Sequence, residues 1–141
     1  VIAQTNLGRV RLASLDYVGA LSAFEAALSL LSTDERDTSG ETGVADGLSR
    51  SESILLLTEC RLGSGIAHHL LDPDSDNAIE ALQRGLEDIE GVGGSKRAEI
   101  DIALGRIHWS RDQEHETAIA CFLDTPDVFV SSLSHASYIV I

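Results

Sequence analysis

Apolar residues recur along most of this chain at intervals of three and four, the spacing that lines one face of an α-helix. In the first 31 residues they fall into two groups: Ile2, Leu7, Val10, Leu12 and Leu15, then Val18, Leu21, Phe24, Leu28 and Leu31. Asp16 and Tyr17 separate the groups. Because Asp favours turns and helix N-caps, the pattern predicts two antiparallel helices joined by a short turn. From Thr33 to Arg50 the periodicity breaks. That stretch holds five acidic residues, two Arg and three Gly, with Val44, Ala45 and Leu48 as its apolar positions, and predicts a long acidic loop over 33–50. Ser49, followed three residues later by Glu52 and then by Ile54-Leu55-Leu56-Leu57, has the form of a capping box. It starts a third helix that runs to about Leu71.

The acidic turn Asp72 to Asp76 leads into Ala78, Ile79, Leu82, Leu86 and Ile89, a fourth helix that Gly91, Gly93 and Gly94 end. A fifth helix is predicted from Lys96 to about Ser110, with Ile100, Ala103, Leu104, Ile107 and His108 on one face. A short sixth covers Thr117 to Leu123 and stops at Pro126-Asp127. Val128 to Ile141 reads as the first helix of a further pair, although Tyr138-Ile-Val-Ile alone would also suit a strand. The start inside a helical pattern and the lack of any Met give the chain the look of a fragment of something longer.

Aligned pair by pair, the helices repeat one order of residues. Leu7-Gly8 is followed by Ala20, Phe24 and Ala27; Leu62-Gly63 by Ala78, Leu82 and Gly85; Leu104-Gly105 by Ala118, Phe122 and Thr125. Gly in the first helix and Ala early in the second let two backbones approach, and the bulky residue one turn later fills the groove toward the next pair. This order resembles the tetratricopeptide repeat. In the first repeat the family offsets are met without a gap, 12 residues from Gly8 to Ala20, four more to Phe24 and three to Ala27. The second repeat carries three extra residues at the Asp72 to Asn77 turn, and the third carries one and has Thr125 where Ala or Gly is usual. Gly8 to Gly63 is 55 residues and Gly63 to Gly105 is 42, against a family period of about 34, so the repeats are divergent and hold insertions.

The resemblance implies an all-α fold, a right-handed α-solenoid of antiparallel helix hairpins, with repeats at 1–32, 51–90 and 96–126 and a partial repeat at 127–141. Leu7, Gly8, Ala20, Phe24, Ala27, Leu62, Gly63, Ala78, Leu82, Gly85, Leu104, Gly105, Ala118 and Phe122 are its expected packing residues. A helical array of another kind and a single bundle with accidental Leu-Gly pairs are the competing architectures.

Composition narrows the function. The chain has 141 residues, 43% of them hydrophobic and 23% charged, close to the soluble globular average. Its six aromatics and two Pro leave little for a β-sandwich or barrel. A net charge of −13 repels phosphate backbones and anionic lipid, so nucleic acid and membranes are not expected partners. No apolar run approaches the roughly 18 residues of a membrane span, and the expected location is cytoplasmic or nuclear. Cys60 and Cys121 stand far apart without a partner motif and read as buried thiols.

Three stretches touch on chemistry. His115-Glu116 opens an HExxH zinc motif, but Ile119 stands where the second His must face the metal one turn on. Asp72, Asp74 and Asp76 match the first ligands of a calcium loop, yet Asn77 replaces its turn Gly and Gln83 its bidentate Glu, and a capped helix-hairpin turn is the stronger reading. Gly91-Val-Gly-Gly-Ser-Lys96 lacks both the preceding strand and the spacing of a phosphate loop. His68, His69 and His108 lie within helices, and no Ser/His/Asp or Cys/His set is assembled. No enzyme, cofactor or metal is expected.

In tetratricopeptide arrays the first helices line a concave groove, which the residue after each Leu-Gly faces. The resemblance therefore implies Arg9, Ser64 and Arg106 there, with Leu12, Ala13, Ala67, His68, Trp109 and Ser110 further along. The partner expected is another protein or an acidic peptide, with Arg9 and Arg106 meeting acidic groups and Trp109 as apolar anchor. The Lys/Asn clamp of repeats that bind chaperone C-termini is missing, since Thr5, Arg9, Cys60 and Ser64 occupy matching positions. Among large scaffolds, that of the superkiller complex of RNA decay has divergent repeats of this general look. Two readings of another class stay open: a structural module whose ends stack on further repeats or on a second copy, and a cation-binding protein built on Asp72, Asp74 and Asp76.

Overall fold

A computed structural model describes residues 1–34, 49–90, 94–111 and 115–124, and every regular element among them is an α-helix. In chain order these are α1 (Ile2–Ala13), α2 (Tyr17–Asp34), α3 (Arg50–Leu71), α4 (Asn77–Asp88), α5 (Ser95–Ser110) and α6 (His115–Leu123). The helices lie where the apolar periodicity puts them, with α6 beginning two residues earlier than Thr117. The expectations for the body of the 33–50 loop, for Gly91 and Gly93, and for the partial repeat 127–141 lie outside the described residues. No described helix is long and apolar enough to cross a membrane.

Local signals set the helix ends. Ser49 Oγ accepts from the Glu52 backbone N–H at 3.2 Å, and the Glu52 carboxylate accepts from Ser49 N–H at 2.7 Å, a complete capping box. Those bonds hold the Glu52 carboxyl below its ordinary pKa. The α1–α2 turn is a Schellman motif: Asp16 N–H donates to Arg11 C=O and Leu15 N–H to Leu12 C=O, at 2.9 and 3.1 Å. This geometry puts Leu15 at φ 64°, the left-handed region that disfavours a branched side chain. Asp16 then receives the Gly19 N–H on its carboxylate at 3.0 Å and opens α2.

Within each pair the helices run antiparallel, α1 on α2, α3 on α4 and α5 on α6, and α3 also packs broadly on α2. Two adjacent cores result. One gathers Ala20, Phe24 and Ala27 of α2 with Cys60 of α3, and Leu12 and Leu28 close it. The other gathers Ala78, Leu82 and Ile89 from the α4 segment with Ile100, Leu104 and Ile107 of α5. The first core draws on α1, α2 and α3, and the second on α3, α4, α5 and α6.

Candidate functional site

Glycines fix how closely the helices meet, and through that which side chains share a face. A Cβ at Gly8 would sit 2.7 Å from the Phe24 ring, and one at Gly63 would meet the same ring at Cζ. Phe24 is therefore held between α1 and α3, with 1% of its surface exposed. Gly105 faces Phe122 in the same way that Gly8 faces Phe24. In the second pair, however, the glycine that faces Leu82 is Gly65, where a Cβ would sit 2.7 Å from Leu82 Cγ, and not Gly63. Leu62-Gly63 is thus not the counterpart of Leu7-Gly8 and Leu104-Gly105. The match lies two residues on, which is roughly 200° around the helix.

That shift moves the second pair's share of the first-helix face. Counted from Gly8, Gly65 and Gly105, the residues one and four positions on are Arg9 and Leu12, Ile66 and His69, and Arg106 and Trp109. Ser64 and His68 point instead into a cavity of about 300 Å³ between α2, α3 and α4, together with Glu25, Arg61, Glu80 and Arg84. Both of its arginines are ion-paired, Arg84 to Glu80 at 2.6 Å and Arg61 to Asp88 at 3.2 Å. Ser64 is buried, and its hydroxyl donates to Arg61 C=O.

On the first-helix face, Arg9 reaches Glu59 of α3 at 3.2 Å. Leu12 is half-buried against the Phe24 core. His69 is half-buried too; desolvation and then the nearby Arg111 charge push its pKa down, so it is held neutral. Arg106 is half-buried in α5, and desolvation alone lowers its pKa, with no described acidic group contributing. One turn on, Trp109 is 54% exposed and its ring lies 4.5 Å from that of His115, tilted by 31°. His115 thus serves as a ring neighbour of Trp109. Of the expected packing residues, Leu104, Ala118, Ala78, Leu82, Gly85, Ala20 and Ala27 are buried, Leu62 is half-buried against the α4–α5 core, and Leu7 is exposed.

Arg111 is a residue that sequence reasoning passed over. Its guanidinium donates to the Asp76 carboxylate at 2.9 Å and to the backbone oxygens of Asp74 and Ser75 at 3.1 and 2.7 Å. The C-terminal end of α5 is thereby pinned to the α3–α4 turn. The oxygens that a calcium loop would turn toward an ion are turned toward an arginine, and Asp72 accepts from Asp74 N–H. Among the described residues no three His, Cys, Asp or Glu side chains are grouped to hold a metal ion. The signal for Arg111 was the turn itself, since clustered acids and carbonyls call for a cation from elsewhere in the chain.

Cys60 is buried and Cys121 half-buried, and burial raises the pKa of both thiols. Cys60 Sγ lies 3.3 Å from the Thr5 hydroxyl, a polar link between α1 and α3. No protein-family model, curated protein or solved structure matches the chain.

Proposed function

We propose that this protein is a non-enzymatic scaffold: a right-handed α-solenoid of tetratricopeptide-like hairpins that binds an acidic peptide or protein segment along the face of its first helices. The reading is carried by the glycine register, because the same close approach that brings Gly8 to Phe24, Gly65 to Leu82 and Gly105 to Phe122 sets Arg9 and Leu12, Ile66 and His69, and Arg106 and Trp109 at matching helical angles. Arg106 contributes most. A half-buried guanidinium without a described counter-charge gains from a carboxylate brought by a partner, and the exposed indole beside it offers apolar area at low entropic cost. Arg9 contributes less, because Glu59 already neutralises it. A place in a large assembly, such as an RNA-decay scaffold, accords with such a face.

Fluorescence anisotropy with a library of labelled acidic peptides, each carrying one aromatic residue, tests the reading. Saturable binding is expected, weakened by salt. Arg106→Glu should weaken it about 10-fold or more, the loss of a charge-assisted hydrogen bond, while Arg84→Glu, on the cavity side, leaves it unchanged. Absence of saturable binding, or equal binding by Arg106→Glu, rejects the groove.

A further inference from the structure

The acidic turn between α3 and α4 is filled by a cation of the same chain, Arg111, whereas the cavity between α2, α3 and α4 keeps an acid without a base. Close packing shapes that cavity. A Cβ added at Gly85 would sit 3.2 Å from Arg61 Cβ, and one at Gly65 would sit 3.3 Å from the Ala78 carbonyl oxygen. The two helices are antiparallel, so the space of about 300 Å³ runs along α3 from Arg61 and Arg84 at one end to His68 and Asn77 at the other. Seven residues of helix make that span about 10 Å. Phe24 meets Gly63, which sets the next residue of α2, Glu25, beside the middle of the span.

The charges around the cavity do not balance. Arg84 is paired with Glu80 and Arg61 with Asp88. Neither the Glu25 carboxylate nor the His68 ring has a hydrogen-bond or ion-pair partner among the described residues. With the two ion pairs neutral, the charge of Glu25 is left over. Ser64, 4% exposed, spends its hydroxyl proton on Arg61 C=O, so its oxygen remains an acceptor. A carboxylate or phosphate entering here would meet Glu25 and Glu80, and a neutral molecule would leave Glu25 unmatched. A monocation balances the site, and the net charge of −13 draws cations toward the protein.

We propose that this cavity binds a small organic monocation: a primary amine or guanidine whose charged head donates to Glu25 and whose polar tail reaches His68 and Asn77. The bond to Glu25 is charge-assisted and therefore carries most of the affinity. The site lies on the side of α2 and α4 and is independent of the first-helix groove. A free amine and a lysine side chain of another protein present the same chemistry.

Titrations followed by NMR chemical shifts test the proposal with N-acetylputrescine, an ammonium and an amide joined by a short alkyl chain. Saturable binding is expected, and N-butylacetamide, the same molecule without the ammonium, should not bind. Glu25→Gln should weaken binding about 10-fold, the loss of a charge-assisted hydrogen bond. Glu87→Gln removes an equal charge from an exposed position of α4 outside the cavity and should change nothing. Both substitutions are at the surface and should leave the circular dichroism spectrum intact. Lysine capped as N-acetyl-lysine-N-methylamide separates the two sources: tighter binding than N-acetylputrescine points to a partner's lysine, weaker binding to a free amine, and either order supports the cavity. If neither amine binds saturably, or if Glu25→Gln binds as wild type does, the proposal is overturned. Equal losses in Glu25→Gln and Glu87→Gln overturn it too, since they would show general attraction to an acidic chain. Arg106→Glu should leave amine binding intact, so failure of the groove and failure of the cavity are read separately.

Discussion

Phe24 and Phe122 occupy the same place in their helix pairs, each against a glycine of the partner helix, yet their surroundings differ. Around Phe24 a second glycine, Gly63, arrives from α3, and Cys60 completes an apolar core linked by its sulfur to Thr5. Around Phe122 there is no described counterpart of Gly63. The neighbouring contact between α5 and α6 contains Asp101, which is buried with its Oδ2 lacking a hydrogen-bond partner and Arg97 3.9 Å away. Burial first, and then Asp124, raises the Asp101 pKa, with Arg97 opposing them. A large side chain enclosed by helices on two sides resists local opening better than one seated on a single helix.

The sharpest way to break that comparison is to truncate both rings. Phe24→Ala should cost about 3–5 kcal/mol, the transfer term plus the cavity left between two helices, while Phe122→Ala should cost about 1–2 kcal/mol because less of its surface leaves water. Urea unfolding monitored by circular dichroism measures both, and equal losses would remove the distinction.

Asp101→Asn bears on the weaker side of the comparison. It should stabilise the protein at neutral pH by about 1 kcal/mol, the lower end of the cost of an unpaired buried polar group. The sign follows from the raised pKa. The folded state holds its proton more tightly than the unfolded chain, whose Asp titrates near about 3.9, so Asp101 causes no loss below that value and stability falls as pH rises through the folded pKa. Thermal melts across this window should show the variant's advantage growing with pH. A constant difference would mean that the carboxylate is not responsible.

The smallest expected effect lies at the turn of the first pair. Leu15→Gly should stabilise by about 0.5 kcal/mol, since relief of the left-handed strain exceeds the entropy that glycine adds to the unfolded chain. Leu15 is 71% exposed, so little packing is lost. A loss of stability on chemical denaturation would show that its side chain contributes contacts that outweigh the strain.

The two regions also differ in how far their amino-acid order revealed them. The first pair was legible because its offsets contain no insertion: Gly8, Ala20, Phe24 and Ala27 all meet at the α1–α2 contact or in the core it borders. The second pair was misaligned, because Gly63 and Gly65 both offer a backbone without a side chain and only one can face Leu82. With the choice of Gly63, Ser64 and His68 were assigned to the first-helix face; with Gly65 opposite Leu82, Ile66 and His69 take those angles and Ser64 and His68 turn to the cavity. Arg111 was illegible for a different reason. It lies 35 residues from Asp76, and nothing local links a helix end to a distant turn.

The order of residues by itself determined the six described helices, the caps at Asp16 and Ser49 and the pairing of the first two, because each depends on periodicity or on contacts a few residues apart. Helical periodicity says which residues share a face but not how one helix slides along another. Tertiary structure decided that register, and with it which glycine admits Leu82 and which cation fills the acidic turn, since each is settled by close packing between segments remote in sequence.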